Sequence, residues 1–547
     1  MEIYQKLESA LEHNDINEFQ LIFNDVENDK FKNEFSWDLA LLFINYLKKY
    51  SDEKKIPNSE VILHSTKKLC QNYGNPKELY LVFLENSEFF LKDLNIMSLV
   101  DITETLLLKS TSKFVSNSID NFLNLLEKFF QIEINLKHDH LIKILERILF
   151  FIRELVEKFF ENSTDLFKNL INKFLIDRFH EPFIKLQSRD IENYFLSPDY
   201  ESIFESNVSL VKILNKNIFK LITDSVMDQN KVDKLGLSLF ISYLYFKQSK
   251  VINDYLSFPK IYHHFYIYEQ IIPIINSLLY DLNNDILLKN GLATIKFLIE
   301  KFESKTWNEN LLEIGIIIEL FESLFRISIH ANSENVRKLS NQILKIKFTI
   351  FDRKARFEFI KYFYNFYSKG SKSTETMNNY VLSYLFYLLK EEVNESLNLN
   401  EDFYTKTSPH LKSIFNLIFS RNKIDFSKES TQIISILNLV RLILLKDKVD
   451  KTGIFSQFKP VVLEYLKQIE LNAEQSKLSY QNELRQLEKN TDKKHDSSKS
   501  ITINEISYDE PTKDEQIKAI EYSLQTIHLI QSLIIRIEEL FDEFAKK

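Results

Sequence analysis

Six glycines in 547 residues (Gly74, Gly236, Gly291, Gly315, Gly370 and Gly453) limit what this chain can fold into. Sheet-rich folds call on glycine at hairpin turns and bulges, where the backbone needs positive φ, and a chain this poor in it can hardly be built from strands. Helical hairpins close through short polar turns without it. With 44% of its residues hydrophobic, the chain has enough apolar material for a core and too much for general disorder. The fold class that follows is all-α.

Apolar spacing agrees. Residues in Asn121–Phe130 and Asp139–Phe160 recur at intervals of three and four, as one buried helical face requires. Near the carboxyl end Ile520, Leu524, Ile527, Ile534, Ile537 and Phe541 keep the same period, with Glu538 and Glu539 on the wet side. Gly74-Asn75-Pro76-Lys77-Glu78 reads as a helix–turn–helix joint. Gly74 suits a left-handed helix end, Asn75 an N-cap and Pro76 the first helical position, with Glu78 placed to complete a capping box. Paired helices over this length predict an α-solenoid of HEAT/armadillo-like repeats, about ten to twelve hairpins at roughly 40 to 47 residues each. No TPR or ankyrin signature occurs, and a set of separate helical bundles is the alternative. We expect an amino-terminal repeat region over 1–250 and a carboxyl-terminal one over 251–547. The polar stretch 488–514 reads as a mobile loop, and shorter polar turns fall at Ser51–Ser59, Ser188–Glu201 and Tyr367–Thr376.

The formal charge is −8, with lysine and glutamate interleaved, which argues against a nucleic-acid partner. Cys70 is the only cysteine, so no intrachain disulfide or thiolate metal site can be assembled. The amino terminus reads as an acidic amphipathic helix without the basic and apolar regions of a secretory signal. Apolar stretches such as Leu237–Phe246 fall far short of the roughly 20 residues that span a bilayer. A cytoplasmic protein without membrane attachment is the expectation.

Chemical motifs are scarce. Gly291 and Gly315 are the closest two glycines, so neither a GxGxxG turn nor a P-loop can form. GxSxG and HExxH are absent. His138 and His140, two apart on a helix, point to different faces, and His263 and His264 lie in an aromatic cluster that reads as packing. Carboxylate pairs such as Glu391–Glu392 and Glu538–Glu539 read as solvated helix faces. A non-enzymatic protein without cofactor or metal is expected.

Three stretches resemble the glomulin family of HEAT-like helical proteins. One is Asn75–Glu85, preceded by the Trp37 helix. The second is Ile436–Asp447, followed by Thr452-Gly453 and Phe455 and continuing through Leu478–Leu484. The third is Ser500-Ile501-Thr502 and then Leu524–Leu540; weaker likenesses lie at Leu288–Glu300 and Glu334–Leu339. Order and spacing carry the likeness, since leucine-rich helices resemble one another singly. The resemblance implies a protein whose carboxyl-terminal repeats cup the RING domain of the RING-box subunit of cullin-RING ubiquitin ligases. There it would cover the docking face of a ubiquitin-conjugating enzyme, and any zinc would belong to the RING. It implies RING-box and cullin partners for a chain that is a monomer on its own.

Each residue expected at such a contact has a plainer reading. Arg441 can solvate the outer face of its helix. Lys446 and Asp447 end that helix, where lysine suits the negative end of the dipole. Asn438 sits mid-helix, where asparagine is a mediocre helix former and a side-chain hydrogen bond is expected, within the repeat or to a partner. Tyr480 can be core, Glu483 a surface charge, and Arg536 can pair with Glu539 or Asp542. The residue types alone support equally a general solenoid scaffold for transport or complex assembly.

Overall fold

The computed structural model describes residues 2–51, 56–87, 95–131, 138–162, 165–178, 198–214, 234–246, 263–369, 374–419, 426–489, 500–503, 506–509 and 512–546. Two compact units divide at Lys301/Phe302. The division expected after residue 250 falls in a stretch outside the described residues.

Unit 1 comprises α1 (Glu2–Glu12), α2 (Ile16–Asn24), α3 (Asp29–Glu34), α4 (Ser36–Ser51), α5 (Ile56–Asn72), α6 (Pro76–Glu85) and α7 (Asn95–Lys109). It continues with α8 (Ser112–Gln131), α9 (His138–Phe159), α10 (Asp165–Lys173), α11 (Pro198–Leu214), α12 (Lys234–Phe246), α13 (His264–Ile275) and α14 (Asp285–Ile299). Helices α5, α7, α9 and α11 pack successively in one row, and α4, α6, α8 and α10 in a second. This two-layer stacking is what an α-solenoid requires, because a lone hairpin cannot bury its own apolar face. On α9 the predicted spacing is met: Leu141, Leu145, Ile148, Ile152, Leu155 and Phe159 are all buried.

The α5–α6 joint forms nearly as the sequence predicts. Gly74 has φ +75°, its N–H donates to Asn33 Oδ1 at 2.7 Å, and a Cβ there would lie 2.3 Å from Ser36 Oγ. Any side chain would therefore be both strained and in collision. Asn75 caps the Lys77 N–H at 3.1 Å with Pro76 at the first position. The capping box is incomplete, however. Glu78 accepts from the Asn75 side-chain amide at 3.2 Å instead of reaching the backbone.

Unit 2 comprises α15 (Gly315–His330), α16 (Glu334–Ile350), α17 (Arg353–Ser368), α18 (Glu375–Asn398), α19 (Pro409–Phe419), α20 (Phe426–Lys446), α21 (Lys459–Lys489) and α22 (Lys513–Ala545). Helices α18, α20 and α22 form a row, with α17 packed on α18 and α21 on α20 and α22. Of the loop expected over 488–514, residues 490–499, 504, 505, 510 and 511 lie outside the described residues. Helix α21 runs to Lys489, α22 begins at Lys513, and between them β1 (Ser500–Ile503) pairs antiparallel with β2 (Ile506–Asp509), Ile501 opposite Tyr508. Thr512 and Glu515 form a full capping box at the start of α22.

Unit 2 also buries charge. Arg356 donates from Nε to Phe351 O (2.8 Å), from Nη2 to Thr349 O (2.7 Å) and from Nη1 to Glu392 Oε1 (2.7 Å). Burial pushes the Glu392 carboxyl up while Arg356 pulls it down. Lys347 is enclosed with far less support: Nζ donates to Ile317 O at 2.8 Å and lies 4.0 Å from the centre of the Phe321 ring. Burial alone drives its pKa well below the ordinary lysine value.

Candidate protein-binding face of α20

Helix α20 is wedged between α18 and α22, so most of its circumference is core: Ile433, Ile436, Leu437, Leu439, Val440, Ile443 and Leu444 are buried. The remaining face carries Asn438, Arg441 and Leu442, half-buried, then Leu445 (42% exposed) and exposed Lys446. Arg441 is the unusual member. Its Nε is buried without a hydrogen-bond partner, and no ion pair engages the guanidinium among the described residues. A buried donor left unpaired costs about 1–3 kcal/mol, so this face holds a polar demand that the fold itself does not meet.

Helix α18 carries Tyr380, Tyr384 and Tyr387 at spacings of four and three; the Tyr380 hydroxyl donates to Asn341 Oδ1 (3.1 Å) and the Tyr384 ring lies 5.9 Å from Phe325, so these two engage α16 and α15. Lys428 Nζ sits 3.1 Å from Glu375, and Asn379 Nδ2 donates to Lys428 O at 2.9 Å, so α18 and α20 start together and run in the same direction. The Tyr384 and Tyr387 rings lie 6.0 Å apart, and Lys390 stands 5.2 Å over Tyr387. The sequence reading missed these tyrosines, although their helical spacing was there to be seen. Aromatic and arginine side chains on a rigid surface are the kind that dominate protein-binding energetics.

The remaining expected residues separate. Asp447 is 2% exposed and accepts from Lys451 N (2.7 Å), Thr452 N (2.6 Å) and Thr452 Oγ1 (2.5 Å). Its carboxylate is consumed in closing the turn after α20, which corrects its expected place at a contact. Asp450, at φ +55°, closes the next part of that turn by accepting from Phe455 N and Ser456 N. Gly453 takes φ +77° there, as a turn residue should, with Lys406 Cβ 2.9 Å from where its own Cβ would stand. Tyr480 is half-buried and Glu483 exposed. They lie about 30 Å of helical rise along α21 from its start at Lys459, which meets Phe541 at the far end of α22. They therefore do not join the Arg441 face. Arg536 pairs with Glu539 (2.8 Å) and Glu543 (3.3 Å) on its own helix.

Chemistry of other kinds finds little footing. Burial pushes the Cys70 thiol up to about 12, which makes it a poor nucleophile. The His263 ring caps α13 by accepting from Phe265 N. Among the described residues no group of three or more His, Cys, Asp or Glu could hold a metal ion, and no helix is long and apolar enough to cross a membrane.

The fold defines an all-α helical repeat protein. Similarity narrows this. Human glomulin is 22% identical over 260 residues, covering 47% of this chain and 42% of that protein; mouse glomulin is 22% identical over 265 residues with the same coverage. These relatives support the glomulin-family assignment made from the sequence, and the matched part spans less than half of their length. No family model matches. A solved circular tandem repeat protein aligns along the whole chain at 10% identity, but its TM-score of 0.15 carries no argument.

Proposed function

We propose that this chain is a glomulin-like inhibitor. It binds the RING domain of the RING-box subunit of cullin-RING ubiquitin ligases and sterically blocks docking of the ubiquitin-conjugating enzyme. It acts without catalysis, as a single chain in the cytoplasm. The observation that carries this reading is Arg441, a half-buried arginine whose Nε is buried and unpaired on the α20 face, within one of the stretches that resemble glomulin. A carboxylate or carbonyl of the RING surface would satisfy it, with Asn438 and Lys446 on the same helix adding polar contacts.

Binding of the full chain to a purified cullin–RING-box complex tests the proposal. Saturable binding that is weakened by Arg441→Leu supports it. Absence of binding, with other assemblies recovered by the chain from cell extract, would favour the general scaffold reading.

A further inference from the structure

A second polar demand lies on α15 and α17. These helices run side by side in the same direction, Phe321 against Phe359 (4.5 Å) and Phe325 against Phe363 (5.6 Å). Glu322 follows Phe321 by one residue, whereas Tyr362 and Phe366 precede Phe363 and Tyr367 by one. For two parallel right-handed helices, those offsets turn all three side chains to the same side of the pair. Tyr362 and Phe366 are 46% and 41% exposed, and their rings stack 6.3 Å apart at an interplanar angle of 11°.

Glu322 is half-buried beside Glu319, and neither carboxylate has a cationic partner among the described residues. Burial first, and Glu319 second, raise the Glu322 carboxyl, as expected of an acid that lacks a counter-charge. Arg326, one turn further along α15, has an interaction of its own. Tyr367 is 3% exposed, its ring packed against Phe325 and Phe363, and no hydrogen bond to a described residue engages its hydroxyl, which is not cut off from water. That hydroxyl is held above the ordinary phenol range, chiefly by burial and then by the nearby Glu322 and Tyr362. The cluster therefore offers a carboxylate without a counter-charge, a phenol hydroxyl near it and two partly exposed stacked rings.

We propose that Glu322, Tyr362, Phe366 and the Tyr367 hydroxyl form a seat for an arginine side chain of a protein partner. A guanidinium lies flat on an aromatic face while its edge N–H groups reach a carboxylate and a hydroxyl, which an ammonium does less well. The seat uses α15 and α17, not α20, and stands or falls separately from the RING-binding reading.

The test is a ligand-observed NMR titration of the full chain with acetyl-Gly-Arg-Gly-amide, with acetyl-Gly-Glu-Gly-amide as control. The arginine peptide should bind saturably and more weakly as salt rises. Its affinity should fall about tenfold in Glu322→Gln and measurably in Phe366→Leu, both conservative enough to keep the fold, and stay unchanged in Arg441→Leu. The proposal is overturned if the arginine peptide does not saturate, if either seat variant binds it as tightly as the parent, or if the glutamate peptide binds equally well.

Discussion

Arg441 and Asp447 sit six residues apart at the end of one helix, and the fold treats them in opposite ways. Asp447 is enclosed and takes three hydrogen bonds from the turn that follows, so its charge is spent on closing that turn. Arg441 is half-buried with a buried donor that nothing satisfies. Both are charged residues in one short stretch, and only the hydrogen-bond accounting tells structural from unclaimed. A folded chain tolerates an unmet buried donor at a cost, and binding is one way to recover it.

The sharpest way to break that contrast is Asp447→Ala, which strands a buried N–H and a buried hydroxyl of Thr452 and the part-buried N–H of Lys451. We expect a loss of about 3 kcal/mol or more in urea unfolding. A loss under about 1 kcal/mol would mean that the turn does not depend on the carboxylate. Arg441→Leu should by contrast leave stability unchanged or raise it, because it removes an unmet donor and keeps the apolar stem.

Sequence reading reached the helical periods and the Gly74–Asn75–Pro76 joint, both of which depend on residues within one or two turns of each other. It failed at Asp447, whose partners are backbone N–H groups brought round by positive φ at Asp450 and Gly453. Residue types do not announce such a turn. It failed also at β1 and β2, where Ile501 and Ile503 alternate with polar residues, as do Ile506 and Tyr508, across the two-residue link Asn504-Glu505. The surrounding charge and polarity masked a short period-2 signal. For the candidate site, it named Arg441 by residue type and could not see that the fold leaves its Nε without a partner, which is a fact of packing.

Lys347 extends the comparison to a buried charge with almost no support. Its folded-state pKa is depressed by burial, so the unfolded chain binds more protons at pH values between that pKa and the unfolded value of about 10.4. Stability should therefore rise with pH across that window, and Lys347→Met should flatten the rise. Equal slopes of unfolding free energy against pH for parent and variant would show that the amine is not buried in solution. Arg356, with Glu392 and two carbonyls around it, should behave oppositely: Arg356→Met leaves Glu392 only the longer approach of Arg353 (3.7 Å) and should cost about 3–5 kcal/mol. A smaller loss belongs to Asn75→Ala, about 1 kcal/mol by thermal unfolding, with binding untouched.

The central claim is that the α20 face covers a surface that a ubiquitin-conjugating enzyme also needs. It is tested most directly in a purified cullin-RING ligase reaction titrated with this chain at several concentrations of conjugating enzyme, with Arg441→Leu run alongside. The account predicts inhibition that weakens as conjugating enzyme is added, leaves the charging of that enzyme unchanged, and requires about ten- to a hundredfold more of the Arg441→Leu chain. Inhibition that is absent, equally strong at every enzyme concentration, or undiminished in the variant would contradict it.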